Sequence, residues 1–186
     1  MGPKTLFAHA VHLNDKEIQL IKETGSILAH CPTSNLKLGS GQMDFQKYLE
    51  AGLKLTLGTD GVASNNSLSM LSEIKVAALS AKNKADSVLA GKVEDIYHMA
   101  TKSGFDAFDI KAGEIKEGKL ADFILVNMNN QFLLPNNNLM SNMIYSADSS
   151  CITDVFCDGK PIMRNKKIPN ENEIISDFKR VCSDLL

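Results

Sequence analysis

Over the first sixty positions, short apolar runs alternate with amphipathic stretches. Residues 5–12 (Thr-Leu-Phe-Ala-His-Ala-Val-His) read as a buried strand. Asn14 stands three positions before Glu17, the spacing of a capping box, and Ile18, Leu20 and Ile21 give a helical stripe that Gly25 is placed to end. Residues 26–31 (Ser-Ile-Leu-Ala-His-Cys) form a second apolar run. Pro32 and Thr33-Ser34-Asn35 then read as loop, kept irregular by Gly39 and Gly41. A short helix over residues 44–51 stops at Gly52, residues 53–57 make a third strand, and Gly58-Thr59-Asp60-Gly61 follows it directly. Strands separated by helical patterns predict parallel pairing with helical crossovers. Parallel strands are covered on both faces, which accounts for their nearly continuous apolar character.

Beyond the third strand, residues 62–66 are polar and read as loop. Helical patterns return at residues 67–82 and 93–103, the second ended by Gly104. The pattern changes near residue 110. Residues 113–118 are turn-rich, residues 122–127 are β-rich, and residues 151–164 break at Asp158-Gly159, a hairpin signal. The tail from Glu171 to Leu186 predicts a closing helix with Ile174, Ile175, Phe178, Val181 and Cys182 on its apolar side. The organisation expected is an α/β part over residues 1–109, a mainly β part over 110–168 and a C-terminal helix over 169–186.

Composition narrows the function. With 44% hydrophobic and 23% charged positions the chain can bury a core, and a net charge of −2 implies no broad basic face for nucleic acid. No apolar run is long enough to span a membrane. Four cysteines without a CxxC pair read as reduced thiols of a cytoplasmic protein. The predicted strands end in polar residues that a buried run does not need: His9, His30 and Asp60. In parallel α/β folds the carboxyl ends of strands are where ligands bind. Two imidazoles and a carboxylate at one mouth are acid–base and metal-ligand types. His12 and His98 read as structural. Cys31 is disfavoured as a partner of His30, because adjacent strand residues face opposite sides. Lys37 is either a substrate contact or a solvated surface residue.

His9 within Ala-His-Ala-Val-His-Leu, His30 within Ala-His-Cys-Pro-Thr-Ser-Asn-Leu-Lys-Leu-Gly, and Asp60 within Leu-Gly-Thr-Asp-Gly-Val-Ala-Ser-Asn-Asn resemble the amidohydrolase superfamily. The branch they are most similar to holds the methylthioadenosine/S-adenosylhomocysteine deaminases. Gly113-Glu-Ile-Lys-Glu-Gly-Lys-Leu-Ala-Asp122 resembles the passage from barrel to accessory β domain. The resemblance implies the last three units of a (β/α)₈ barrel, part of an accessory β domain and a C-terminal helix. It implies a hydrolase of carbon–nitrogen bonds that deaminates an aminopurine nucleoside or related heterocycle, using one divalent metal, zinc or iron. It makes Asp60 a metal ligand and the acceptor of a proton from the attacking water, and makes His9 the residue that orients that water. His30, Ser64 and Asn65 would border the substrate.

The same resemblance calls for a His-x-His pair and a further histidine from earlier strands. A barrel of about 250 residues spends about 31 on each βα unit, so residues 1–104 supply about three. The chain is therefore expected to be the C-terminal portion of a longer enzyme. Alone it would bind metal weakly and be inactive. It would associate with itself or with an N-terminal half through its open edge. The alternative is a non-catalytic truncated paralogue serving as an interaction module.

Overall fold

The structure, a computed structural model, describes residues 1–185. Strand β1 (Leu6–Ala8) leads through helix α1 (Asp15–Thr24) to β2 (Ile27–His30). Helices α2 (Pro32–Lys37) and α3 (Phe45–Glu50) then lead to β3 (Lys54–Leu57). The three strands pair in parallel in the order β1-β2-β3, with Leu6 beside Ile27 and Ile27 beside Lys54. Phe7, Leu28 and Leu55 lie in one row across the sheet. That row faces the main core, where Ile18 and Ile21 of α1 meet Phe45 and Tyr48 of α3. The outer edges of β1 and β3 have no strand partner among the described residues.

Helix α1 forms for the reason its sequence suggests. Asn14 accepts from the backbone N–H groups of Lys16 and Glu17, and the Glu17 carboxylate accepts the Asn14 N–H at 2.8 Å. Gly25 closes the helix at φ 65°, a left-handed conformation that a residue with a Cβ adopts at a cost. The first strand is shorter than expected. It stops at Ala8 because His9 and Ala10 have φ values of 68° and 48°, outside the β region.

Two stretches expected as loop are helical. Residues 32–37 form α2, with Pro32 in the first turn, where its missing N–H has no partner to lose. Residues 62–65 form α4 (Val62–Asn65), ended by Asn66 at φ 66°. Helix α5 (Met70–Ala85) begins after Ser69, whose hydroxyl accepts the Ser72 N–H, rather than at Ser67. Helix α6 (Val93–Ala107) runs through Gly104 instead of ending there. A helical glycine costs about 1 kcal/mol, and α6 offsets this by burying Ile96, Met99 and Ala107 against β3, α5 and a later helix.

Strand β4 (Phe123–Val126) opens the second sheet. Helix α7 (Leu139–Tyr145) follows within the stretch expected to be mainly β, where the asparagine-rich flanks hid its short apolar pattern. It buries Met143 and Ile144 and packs against α5 and α6. Strands β5 (Ile152–Cys157) and β6 (Lys160–Met163) complete an antiparallel sheet in the order β4-β5-β6. Asp158 and Gly159 turn the hairpin with positive φ at both positions, as a two-residue turn of this kind requires. Phe123 stacks on Phe156 across the sheet at a centroid distance of 4.4 Å. Helix α8 (Glu171–Leu185) forms as expected, with Leu186 outside the described residues, but none of its residues is buried and Ile174, Ile175 and Phe178 face solvent. No helix among the described residues is long and apolar enough to cross a membrane.

The Asn14 cap gives a direct test of this account. Asn14→Ala is expected to lower unfolding stability by about 1 kcal/mol in urea denaturation, with an unchanged m value. A loss near zero would show that α1 is held by packing alone.

Candidate active site

His9 leaves β1 and Asp60 follows β3, so both stand at the carboxyl ends of parallel strands. Helix α2 brings Ser34 and Asn35 to the same place. Together they line an open cleft of about 420 Å³. His9 and Asp60 both occupy the left-handed region, at φ 68° and 60°. Such backbone conformations are costly for residues with a side chain and persist where the surroundings enforce them.

Asp60 is the most firmly held group in the cleft. Its Oδ2 accepts the Ser34 hydroxyl at 2.6 Å and the Ser64 hydroxyl at 2.7 Å, and its Oδ1 accepts the Gly61 N–H at 2.8 Å. The Ser34 hydroxyl, then that of Ser64 and the Gly61 amide, pull its pKa down to about 2. The carboxylate is therefore ionised at any physiological pH. Across the cleft, Nε2 of His9 lies 3.9 Å from Asp60 Oδ2, too far for a hydrogen bond, and Nδ1 lies 2.8 Å from Asn35 Oδ1.

The other candidates from the sequence are placed differently. Ser64 reaches the cleft carboxylate. Asn65 is 8% exposed, and its amide donates to the Thr59 carbonyl at 2.6 Å and to Glu73 Oε1 at 2.5 Å. His30 does not line the cleft. It shares the sheet face of Leu28, is 1% exposed, and both ring nitrogens are buried without a partner. Burial pushes its pKa down to about 4. Lys37 donates to the Ala63 carbonyl at 3.1 Å and to Asn66 Oδ1, so it ties α2 to α4. His12 and His98 bond within the fold, to the Ser40 carbonyl and the Ser103 hydroxyl. Burial pushes the Cys31 thiol up to about 11, which removes it as a nucleophile.

Sequence reasoning missed Ser34, Asn35 and Glu73. Ser34 and Asn35 lie four and five residues beyond the end of β2, and Pro32 just before them is a usable signal of a helix start. Glu73 lies three residues into α5, 1% exposed, and only the fold brings it to Asn65.

As a metal site the arrangement is incomplete. No group of three or more histidine, cysteine, aspartate or glutamate side chains converges among the described residues. His9 and Asp60 offer two donors where a catalytic zinc takes three protein ligands. A second cavity of about 340 Å³, between α3, β3 and α6, is lined in part by His98 and Ser103 and by none of His9, Ser34, Asn35 and Asp60.

The amidohydrolase family profile matches residues 1–162. The chain belongs to the amidohydrolase family. Within that family it is 44% identical over 169 residues to a 5'-deoxyadenosine deaminase of Methanococcus maripaludis, covering 91% of this chain and 40% of that protein. It is 42% identical over 168 residues to a 5-methylthioadenosine/S-adenosylhomocysteine deaminase of Haloquadratum walsbyi, covering 90% of this chain and 38% of the relative. A solved adenosine deaminase from Xanthomonas campestris with bound zinc superposes with a TM-score of 0.92 at 33% identity. The match covers 98% of this chain and 42% of that one. This amidohydrolase chain thus spans about 40% of the length of the relatives it matches.

The buried His30 carries a stability prediction. Its folded pKa lies below the 6.5 of an ordinary histidine, so the unfolded chain binds the extra proton first as pH falls. Stability contributed by the neutral ring is therefore full above about 6.5 and is lost progressively down to about 4, a total of about 3 kcal/mol. His30→Leu is expected to flatten unfolding stability between neutral pH and about pH 4 by roughly that amount in urea titrations. An unchanged pH slope would show that the ring is hydrated in the fold.

Proposed function

We propose that this chain forms the carboxylate-bearing side of a hydrolytic deaminase site that acts on an aminopurine nucleoside. The observation that carries the reading is the ionised Asp60, braced by two hydroxyls and an amide, facing His9 across a cleft at the ends of parallel strands. Identities of 42–44% to two nucleoside deaminases support the substrate class.

In this reading water adds to the purine carbon that bears the exocyclic amine. Asp60 takes a proton from that water as the C–O bond forms, and His9 orients the water through its ring. The carbon–nitrogen bond then breaks, the amine leaves as ammonia with the proton returned to it, and an inosine-type product remains. A carboxylate with a pKa near 2 is a weak base, so water must first be acidified for this step. Two donors do not suffice to hold a zinc ion that would do so. In this reading the remaining ligands come from protein outside this chain.

The open edges of β1 and β3 fit the same reading. They are where further barrel strands pair, making this sheet the last three units of a (β/α)₈ barrel with β4-β5-β6 as part of an accessory domain. A second copy of the chain could use the same edges, giving a homo-oligomer without turnover.

Complementation separates these outcomes. The chain, incubated with zinc, is expected to release no ammonia from 5'-deoxyadenosine or 5'-methylthioadenosine when alone. Co-expressed with the unmatched N-terminal portion of the Methanococcus maripaludis relative, it is expected to turn over, and Asp60→Asn to lower kcat by about 10³-fold. Turnover by the isolated chain, or a complemented enzyme indifferent to Asp60→Asn, would overturn the proposal. A stable complex that does not turn over would favour a pairing module instead.

A further inference from the structure

Asn35 is the residue in the cleft whose arrangement the proposed reaction leaves unexplained. It sits on α2, is 2% exposed, and places Oδ1 2.8 Å from Nδ1 of His9. Among the described residues that is the one hydrogen bond the His9 ring makes. Nε2 faces Asp60 at 3.9 Å, beyond hydrogen-bond reach, so the carboxylate does not hold a proton on that nitrogen. A neutral imidazole carries its proton on one nitrogen only, and the partner of the other nitrogen decides which.

The geometry points to Asn35 as the positioning residue that selects the Nδ1–H tautomer of His9 and so keeps Nε2 a bare acceptor inside the cleft. The amide oxygen can only accept, so Nδ1 must donate to it. The backbone that carries Asn35 is held on both sides. Its backbone N–H bonds to the Cys31 carbonyl in the first turn of α2, and its carbonyl accepts the Ser40 N–H at 2.9 Å. The left-handed conformation of His9 swings the ring off the end of β1 towards α2, where Asn35 meets it.

Two acceptors, His9 Nε2 and Asp60 Oδ2, then face one another 3.9 Å apart. One donor molecule lying between them can satisfy both at ordinary hydrogen-bond lengths. A water O–H or an amine N–H meets that need, whereas an Nε2–H tautomer would offer such a molecule a donor in place of the second acceptor. This consequence rests on the hydrolytic reading of the cleft. The tautomer does not, and it can be measured without substrate or metal.

Nδ2 of Asn35 is buried without a partner, so no second bond fixes which way the amide faces. Turning it over would hand an N–H to Nδ1 and force the ring proton onto Nε2. The two arrangements give opposite tautomers.

The test is two-bond ¹H–¹⁵N correlation spectroscopy of the full chain labelled with ¹⁵N-histidine, at alkaline pH where imidazole is neutral. His9 is assigned by comparison with His9→Gln. The wild-type ring is expected to show a pyrrole-like Nδ1 and a pyridine-like Nε2. Asn35→Leu is expected to shift the balance to the Nε2–H form that an unconstrained histidine favours. Asn35→Asp, whose carboxylate also only accepts, is expected to keep Nδ1–H. An Nε2–H ring in the wild type or in Asn35→Asp would overturn the proposal, as would a folded Asn35→Leu with the wild-type pattern. If Asn35→Leu does not fold, the wild-type and Asn35→Asp spectra still decide. Failure here leaves the complementation experiment untouched, and failure there leaves the tautomer measurable.

Discussion

One carboxylate ties the first sheet to the loops that shape its cleft. Asp60 stands where β3 gives way to α4, in a backbone conformation a side chain disfavours, and receives hydrogen bonds from Ser34 of α2, Ser64 of α4 and the adjacent amide. Each is a bond to a charged group, the stronger kind. Because the donors come from two different connections, α2 after β2 and α4 after β3, the carboxylate fixes their relative position as well as its own protonation. Removing the charge would loosen both connections together.

A second, buried carboxylate supports the first from behind. Glu73 of α5 accepts from Asn65 at 2.5 Å and from the Thr33 N–H at 3.4 Å, so it touches the helix that carries Ser34 and the one that carries Ser64. Asn65 passes the constraint on to the Thr59 carbonyl, one residue before Asp60. Lys37 closes the outer side by bonding to the Ala63 carbonyl and Asn66. A carboxylate that is 1% exposed is costly unless it is hydrogen-bonded. Glu73 meets that condition with groups that themselves need ordering. The loops at the cleft are thus braced from the interior, from the cleft and from the surface.

What the sequence made legible was local. Asn14 and Gly25 bound α1 through contacts within a turn of the helix, and Asp158-Gly159 sets its hairpin by two backbone conformations. His9 and Asp60 stood out in the sequence because His9 follows directly on an apolar run and Asp60 comes three residues after another. The rest depended on neighbours distant in the chain. Helices α2 and α4 are too short to show a period, and packing against α5 holds α2 where the residues alone suggested loop. His30 looked like His9 from its position, but a single step in strand parity decides which sheet face a side chain takes. His30 shares the face of Leu28, under the helices, instead of the mouth. Glu73 gave no signal because its partners lie 8 and 40 residues away.

The distribution of buried surface explains how so open a sheet holds together. Its helix-covered face carries Leu28 and Leu55 at 0% and 6% exposure, and these pack with Ile74, Ala77 and Ile96 from α5 and α6. The opposite face is covered only in part: Ile27 and Thr56 are buried, whereas Leu6 is 43% exposed and Lys54 is exposed, with both edges unpaired among the described residues. In a parallel sheet with crossover helices, both faces are ordinarily covered. The covered half suffices to position His9, Asn35 and Asp60, because all three hang from connections packed on the helical side. The chemistry-bearing geometry and the uncovered surface are therefore separable.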